Sequence, residues 1–304
     1  DYLIYDSMCP WGALVGRILG LPTVVSTALL TFKGLDMVRS VGMRTFLPTL
    51  IRGVPHIAAF NRLSHGLGRE YGIQPLTFIE FFNAPGDLII SYTMPPIQPD
   101  ADQLDARVHF VGPSIAPRSD GGDFPLERLE RKPVIYISLG TIRNDNLAFF
   151  RACLQAFADR PYTVVMSVGH KIDAQALDPI PPNFVVRTYN PQLEILQRSD
   201  LFITHAGMNS VHEGLYYGVP LLLVPQQQEQ TFVALRMQTL GAGLKLDAPT
   251  PDAIRAAAER ILSDVRYRQN AAQLGETLRS GGGAARAADL VLALVRENEP
   301  QRAR

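Results

Sequence analysis

From about Lys132 onward the sequence alternates short apolar runs with stretches of helical period, and this alternation limits the fold more than any other feature. The runs are 134–139, 163–168, 184–187, 201–204, 220–224 and 243–246, and helical candidates lie at 146–158, 192–198, 209–217 and 230–240. The runs lack the polar alternation of a half-exposed strand. Strands of that kind are buried on both faces, which requires a parallel sheet covered by helices. Six of them with connecting helices predict one doubly wound, Rossmann-like domain.

The first part of the chain repeats this grammar less completely. Strand candidates lie at 3–6, 23–26, 87–91 and 108–111, a helix at 10–19, and two more helices within 32–71. The expected division is a first domain at 1–115, a linker at 116–132 rich in Pro, Gly, Asp and Arg, and a second domain at 133–280. Helices at 264–279 and 284–298 close the chain around Gly281-Gly282-Gly283. The last of these, within 281–304, is expected to pack back toward the first domain. The opening Asp1-Tyr2-Leu3-Ile4-Tyr5-Asp6 reads as a strand already under way, so the first domain is expected to be truncated at its start.

At 304 residues, both domains can build a core of their own. With 29 basic and 29 acidic side chains the chain lacks the cationic surplus of a nucleic-acid binder. The most apolar stretch, 11–32, is broken by Arg17 and Pro22 and is too interrupted to span a membrane. Cys9 and Cys153 match no metal spacing, and a chain of this size needs no disulfide, so a cytoplasmic location is expected.

Ligands of open α/β sheets bind beyond the carboxyl ends of the strands. There the second domain carries His205-Ala206-Gly207-Met208-Asn209-Ser210-Val211-His212-Glu213, a strand exit leading into a helix. Gly207 permits close backbone approach, Asn209 and Ser210 stand where a cap belongs, and free N–H groups at a helix start attract phosphate. Glu213 is suited to accept hydrogen bonds from a ribose diol. Ordinary capping explains the same residues equally well. Tyr189-Asn190-Pro191-Gln192 places an aromatic face and an amide after the preceding strand, suited to a base or to the core. Pro225-Gln226-Gln227-Gln228-Glu229-Gln230 follows the next strand, suited to sugar hydroxyls or to plain solvation.

Together these segments resemble the donor-binding signature of the family 1 UDP-glycosyltransferases. The aromatic-x-Pro-Gln opening, the step from His205 to Glu213 and the step from Glu213 to Gln230 all match, although Tyr189 stands where plant members usually have Trp. Ile137-Ser138-Leu139-Gly140-Thr141 and Leu215-Tyr216-Tyr217-Gly218-Val219-Pro220 also fit. Tyr5-Asp6-Ser7-Met8-Cys9-Pro10-Trp11-Gly12 resembles the bacterial macrolide-glycosyltransferase subgroup.

The resemblance implies a GT-B fold of two facing Rossmann-like domains and an inverting transfer from a UDP-sugar, with UDP-glucose foremost, to a hydroxyl of a small natural product. It implies that Tyr189 and Gln192 hold uracil, and that Glu213 holds ribose. His205, Asn209 and Ser210, with Gly207 and Thr141 nearby, would hold the diphosphate, while Glu229 and Gln230 would meet the sugar. His205 and the helix start would meet the leaving group's charge, so neither metal nor other cofactor is expected. Asp6 matches the carboxylate that orients the family's general-base His, and it also suits a turn residue before the helix at Pro10. No histidine here matches that base, which the resemblance places before Asp1. Two alternatives remain at this stage: another GT-B enzyme (a lipid-linked-acceptor transferase or a sugar-nucleotide 2-epimerase), or a non-catalytic nucleotide-sugar-binding module.

Overall fold

A computed structural model describes residues 1–31, 43–78, 80, 85–118, 124–130, 133–141 and 144–302, with the backbone alone at 43–50 and 298–302. The chain forms two compact units, one of Asp1–Ser114 with Ser280–Arg304, the other of Ile115–Arg279.

The first unit holds a four-stranded sheet, β1 (Leu3–Asp6), β2 (Thr23–Thr27), β3 (Leu88–Ser91) and β4 (Val108–Phe110), in that spatial order. All its pairings are parallel, with Leu3 opposite Thr23 and Val24 opposite Leu88. Helix α1 (Pro10–Leu19) starts on a proline whose missing N–H would be unpaired there anyway, and ends at Gly20 in the left-handed conformation. Its buried face carries Gly12 and Gly16 because the strands lie too close for a side chain. A Cβ on Gly12 would stand 2.4 Å from the Tyr5 ring, and one on Gly16 2.3 Å from Thr23 Cγ2.

Two helices were expected within 32–71. Residues 32–42 lie outside the described part, and 43–71 form a single helix, α2 (Met43–Tyr71), which runs through Pro55. Phe60 and Leu67 on α2 pack against the cluster of Tyr5, Leu14, Val25 and Leu76, and Ser64 Oγ accepts from the Leu76 amide at 2.6 Å. Tertiary packing of this face outweighs the local cost of the proline.

The second unit holds a six-stranded sheet: β5 (Val134–Ser138), β6 (Thr163–Ser167), β7 (Phe184–Arg187), β8 (Leu201–Thr204), β9 (Leu221–Leu223) and β10 (Gly243–Lys245). Their spatial order is β10-β9-β8-β5-β6-β7, and every pairing is parallel. From β5 the chain winds outward on one side, then returns to wind outward from β8 on the other. The crevice between the ends of β5 and β8 is therefore the switch point where such folds bind ligands. The helices of this unit are α3 (Leu147–Phe157), α4 (Gln192–Leu196), α5 (Met208–Tyr216), α6 (Gln228–Thr239), α7 (Pro251–Ser263) and α8 (Val265–Ser280).

Helix α7 has no counterpart among the sequence expectations. Its signal was present: Thr250 caps Ala253 N through its hydroxyl, Pro251 opens the first turn, and Ile254, Ala258 and Ile261 are buried. In the stretch read as a linker, Leu126–Glu130 forms a 3-10 turn that buries Leu129, Phe124 is buried as well, and the Arg187 guanidinium lies over the Phe124 ring at 5.3 Å. The last helix, α9 (Gly283–Arg302), belongs to the first unit, where Ala287 and Val291 pack with Val24, Leu88, Ile90 and Val111.

Candidate functional site

Strand β8 is buried along its whole length, which fixes the position of the residue that leaves it, His205. Ala206 then adopts φ +66°, a left-handed conformation that costs a residue with a Cβ about 1–2 kcal/mol. Complete burial holds it there. The imidazole of His205 fits between two glycines. A Cβ on Gly140, whose φ is +78°, would stand 2.7 Å from its Cε1, and one on Gly207 2.3 Å from its Nε2. The loops after β5 and β8 thus meet around one ring at the switch point.

Burial pushes the His205 pKa down to about 4. The ring is neutral at pH 7 and offers a hydrogen bond, not a cation. The cap assignment changes. Gly207 is the N-cap of α5 and makes no side-chain capping bond, so Asn209 and Ser210 lie inside the first turn. With no side chain closing it, this helix start is a ready anion site.

A directed chain of hydrogen bonds ends on Glu213, which is 5% exposed. Asn190 Nδ2 donates to Ser167 Oγ at 2.9 Å, and Ser167 Oγ lies 3.0 Å from Tyr136 Oη. Burial raises the Tyr136 pKa, so its hydroxyl stays protonated and donates to Gln192 Oε1 at 3.1 Å. Gln192 Nε2 in turn donates to Glu213 Oε2. The other carboxylate oxygen, Oε1, accepts from Arg118 Nη2 at 2.6 Å. Gln192 and Glu213, predicted from separate segments, are therefore in direct contact. Tyr189, on the same loop as Gln192, is 48% exposed.

Thr141 is exposed, immediately after Gly140. Asn144 is buried nearby, its Nδ2 donating to Gly140 O at 3.1 Å. Five buried side-chain polar atoms lack a partner among the described residues, and three of them (on Asn144, Asn190 and Gln226) lie in loops after β5, β7 and β9. Orphan groups gathered at one edge of a sheet mark a place prepared for polar ligand or water. Gln230 is buried, and its Oε1 accepts from Gln226 N at 2.8 Å, so part of its carboxamide secures its own loop. Glu229 is exposed on the first turn of α6.

Asp6 lies in the first unit at the end of β1, exposed, with Oδ1 accepting from Met8 N at 2.8 Å. The turn role is thus present, and among the described residues no histidine bonds to it. Arg118, Tyr136 and Asn144 were not foreseen as site residues. Nothing in the sequence distinguishes Arg118 from the other charges of its Pro- and Gly-rich stretch. Tyr136, the one residue of its strand run with a phenolic hydroxyl, did carry a signal. Among the described residues no group of three His, Cys, Asp or Glu stands ready to hold a metal ion, and no helix is long and apolar enough to cross a membrane.

The model of the UDP-glucoronosyl and UDP-glucosyl transferase family matches residues 129–279. The uncharacterized UDP-glucosyltransferase YojK of Bacillus subtilis (strain 168) is 34% identical over 299 residues, covering 98% of this chain and 73% of that protein. The oleandomycin glycosyltransferase of Streptomyces antibioticus is 31% identical over 298 residues, covering 96% of this chain and 67% of that protein. Among solved structures, the calicheamicin glycosyltransferase CalG4 superposes with a TM-score of 0.78 at 30% identity, covering 99% of this chain and 76% of CalG4. The kitacinnamycin glycosyltransferase reaches a TM-score of 0.82 at 29% identity, covering 96% of this chain and 75% of that one.

Proposed function

This chain belongs to the UDP-glucoronosyl and UDP-glucosyl transferase family, in its macrolide-glycosyltransferase group with the GT-B fold, and from that premise we propose that it glucosylates a hydroxyl of a small natural product, such as a macrolide or flavonoid, using UDP-glucose. It is a UDP-glycosyltransferase. The name of YojK supports glucose as the sugar, and that of the oleandomycin enzyme supports a natural-product acceptor.

The observation that carries the reading is the meeting, at the switch point, of a hydrogen-bonded carboxylate, an open helix start and a partly buried, neutral imidazole. Tyr189 stacks on uracil and Gln192 reads its edge. Glu213 accepts from the ribose hydroxyls. The amides of Asn209 and Ser210, beside Gly207 and Thr141, hold the diphosphate, and His205 donates one hydrogen bond to it. Glu229 and Gln230 meet the sugar. The acceptor oxygen attacks the anomeric carbon from the face opposite UDP, so the new C–O bond forms as the bond to UDP breaks and the configuration inverts. The helix start and His205 stabilise the charge that develops on the diphosphate, leaving no step that requires a metal. A base takes the acceptor proton, and Asp6 fixes the orientation of that base. Both cysteines are free thiols, which supports a reducing cytoplasm as the place of reaction.

Replacing Glu213 by Ala should weaken UDP binding by about 1–3 kcal/mol, the cost of unpairing the ribose hydroxyls. Calorimetry with UDP measures this directly, and an unchanged affinity would remove Glu213 from the ribose site.

A further inference from the structure

We infer that Arg118 is a positioning residue for donor binding, holding the Glu213 carboxylate so that its free lone pairs meet the ribose hydroxyls. This rests on the assignment of Glu213 to ribose made above. Glu213 is almost fully enclosed, and an enclosed carboxylate needs a counter-charge and a full set of donors. Arg118 supplies the charge, with Nη2 at 2.6 Å from Oε1. It approaches from the side, its own side chain 47% exposed, while the carboxylate is 6% exposed.

Counting donors shows why the pair aids the ligand and does not block it. A carboxylate presents about four lone-pair positions. Arg118 takes one on Oε1 and Gln192 takes one on Oε2, which leaves one on each oxygen. Two hydroxyls on adjacent carbons require that arrangement, one acceptor site per oxygen in a fixed plane. Gln192 alone cannot fix the plane, since a single hydrogen bond leaves the carboxylate free to turn about it. The second anchor, on the opposite oxygen, removes that freedom. Arg118 therefore acts through Glu213 and need not touch the nucleotide.

The test compares UDP with a UDP analogue lacking the 2′ and 3′ hydroxyls, using calorimetry on the 304-residue chain. Arg118→Gln should weaken UDP about 10-fold and leave the analogue's affinity unchanged. Arg118→Lys, which keeps the charge and one donor, should restore UDP binding to within about 3-fold of the parent. The effect of Arg118→Gln should vanish in a Glu213→Ala background, where nothing remains to be positioned. If Arg118→Gln weakens the analogue as much as UDP, or retains its effect without Glu213, the guanidinium contacts the diphosphate and the inference is overturned. If Glu213→Ala weakens UDP while Arg118→Gln does not, the inference alone fails. If Glu213→Ala itself has no effect, the ribose assignment fails and takes the inference with it. Should the Gln variant not fold, Arg118→Lys carries the test, with a loss of about 2–3-fold for UDP and none for the analogue; equal losses for both ligands would again overturn it.

Discussion

The setting of the His205 side chain in the candidate site depends on what its neighbours lack. Gly140→Ala would put a Cβ 2.7 Å from the imidazole at a backbone φ of +78°, so the strain and the clash fall on the same residue. We expect this variant to lose about 1–3 kcal/mol of stability by urea titration and to lower kcat at least 10-fold in a donor-turnover assay. Normal turnover would show that the ring does not need its slot. Sequence reasoning reached Gln192, His205 and Glu213 because they sit in one run of loops with fixed spacing. It did not reach Arg118, which meets Glu213 from 95 positions away, since a bond across that separation leaves no local pattern. Nor was the neutrality of His205 legible, because it comes from burial, a property of the assembled loops.

Among the elements, α7 offers the sharpest check. Thr250→Ala removes the one side-chain cap at its start and should cost about 1 kcal/mol in denaturant unfolding, with UDP affinity unchanged. An unchanged midpoint would mean that water or backbone serves the first turn equally well. This helix escaped the sequence reading because its apolar stripe is thin: Ile254, Ala258 and Ile261 are set among Ala, Arg and Glu. Strands β5 and β8 were legible for the opposite reason. Parallel strands covered on both faces consist of unbroken apolar runs, and 134–139 or 201–204 can hardly be read otherwise. Boundaries moved by a residue or so where the last apolar side chain belongs to a loop, as with Leu139. Helix α2 was harder to delimit, because Pro55 signals a break that packing of Phe60, Ser64 and Leu67 overrides.

For the molecule as a whole, the partly buried His205 and the buried His212 of the second unit contribute to its response to acid. His205 and His212 have pKa values of about 4 in the folded protein, lowered by burial from 6.5. Between these values the unfolded chain binds protons that the folded one refuses, so their contribution is complete above pH 6.5 and is lost as pH falls toward 4. Each should account for a loss on the order of 2–3 kcal/mol over that window. Urea midpoints at pH 7.5 and 5.0 would detect it, and equal midpoints would contradict the burial of both rings. A different vulnerability follows from the terminal helix. The second unit is a cassette inserted into the first, because the chain leaves the first unit after Ser114 and re-enters it at Ser280. Severing either crossing alone leaves the two units covalently joined through the other. Shortening the polypeptide from its carboxyl end, by contrast, strips Ala287 and Val291 from the sheet formed by its first residues, so the injury would appear at Val24, Leu88 and Ile90 while the Rossmann core of the cassette stays closed.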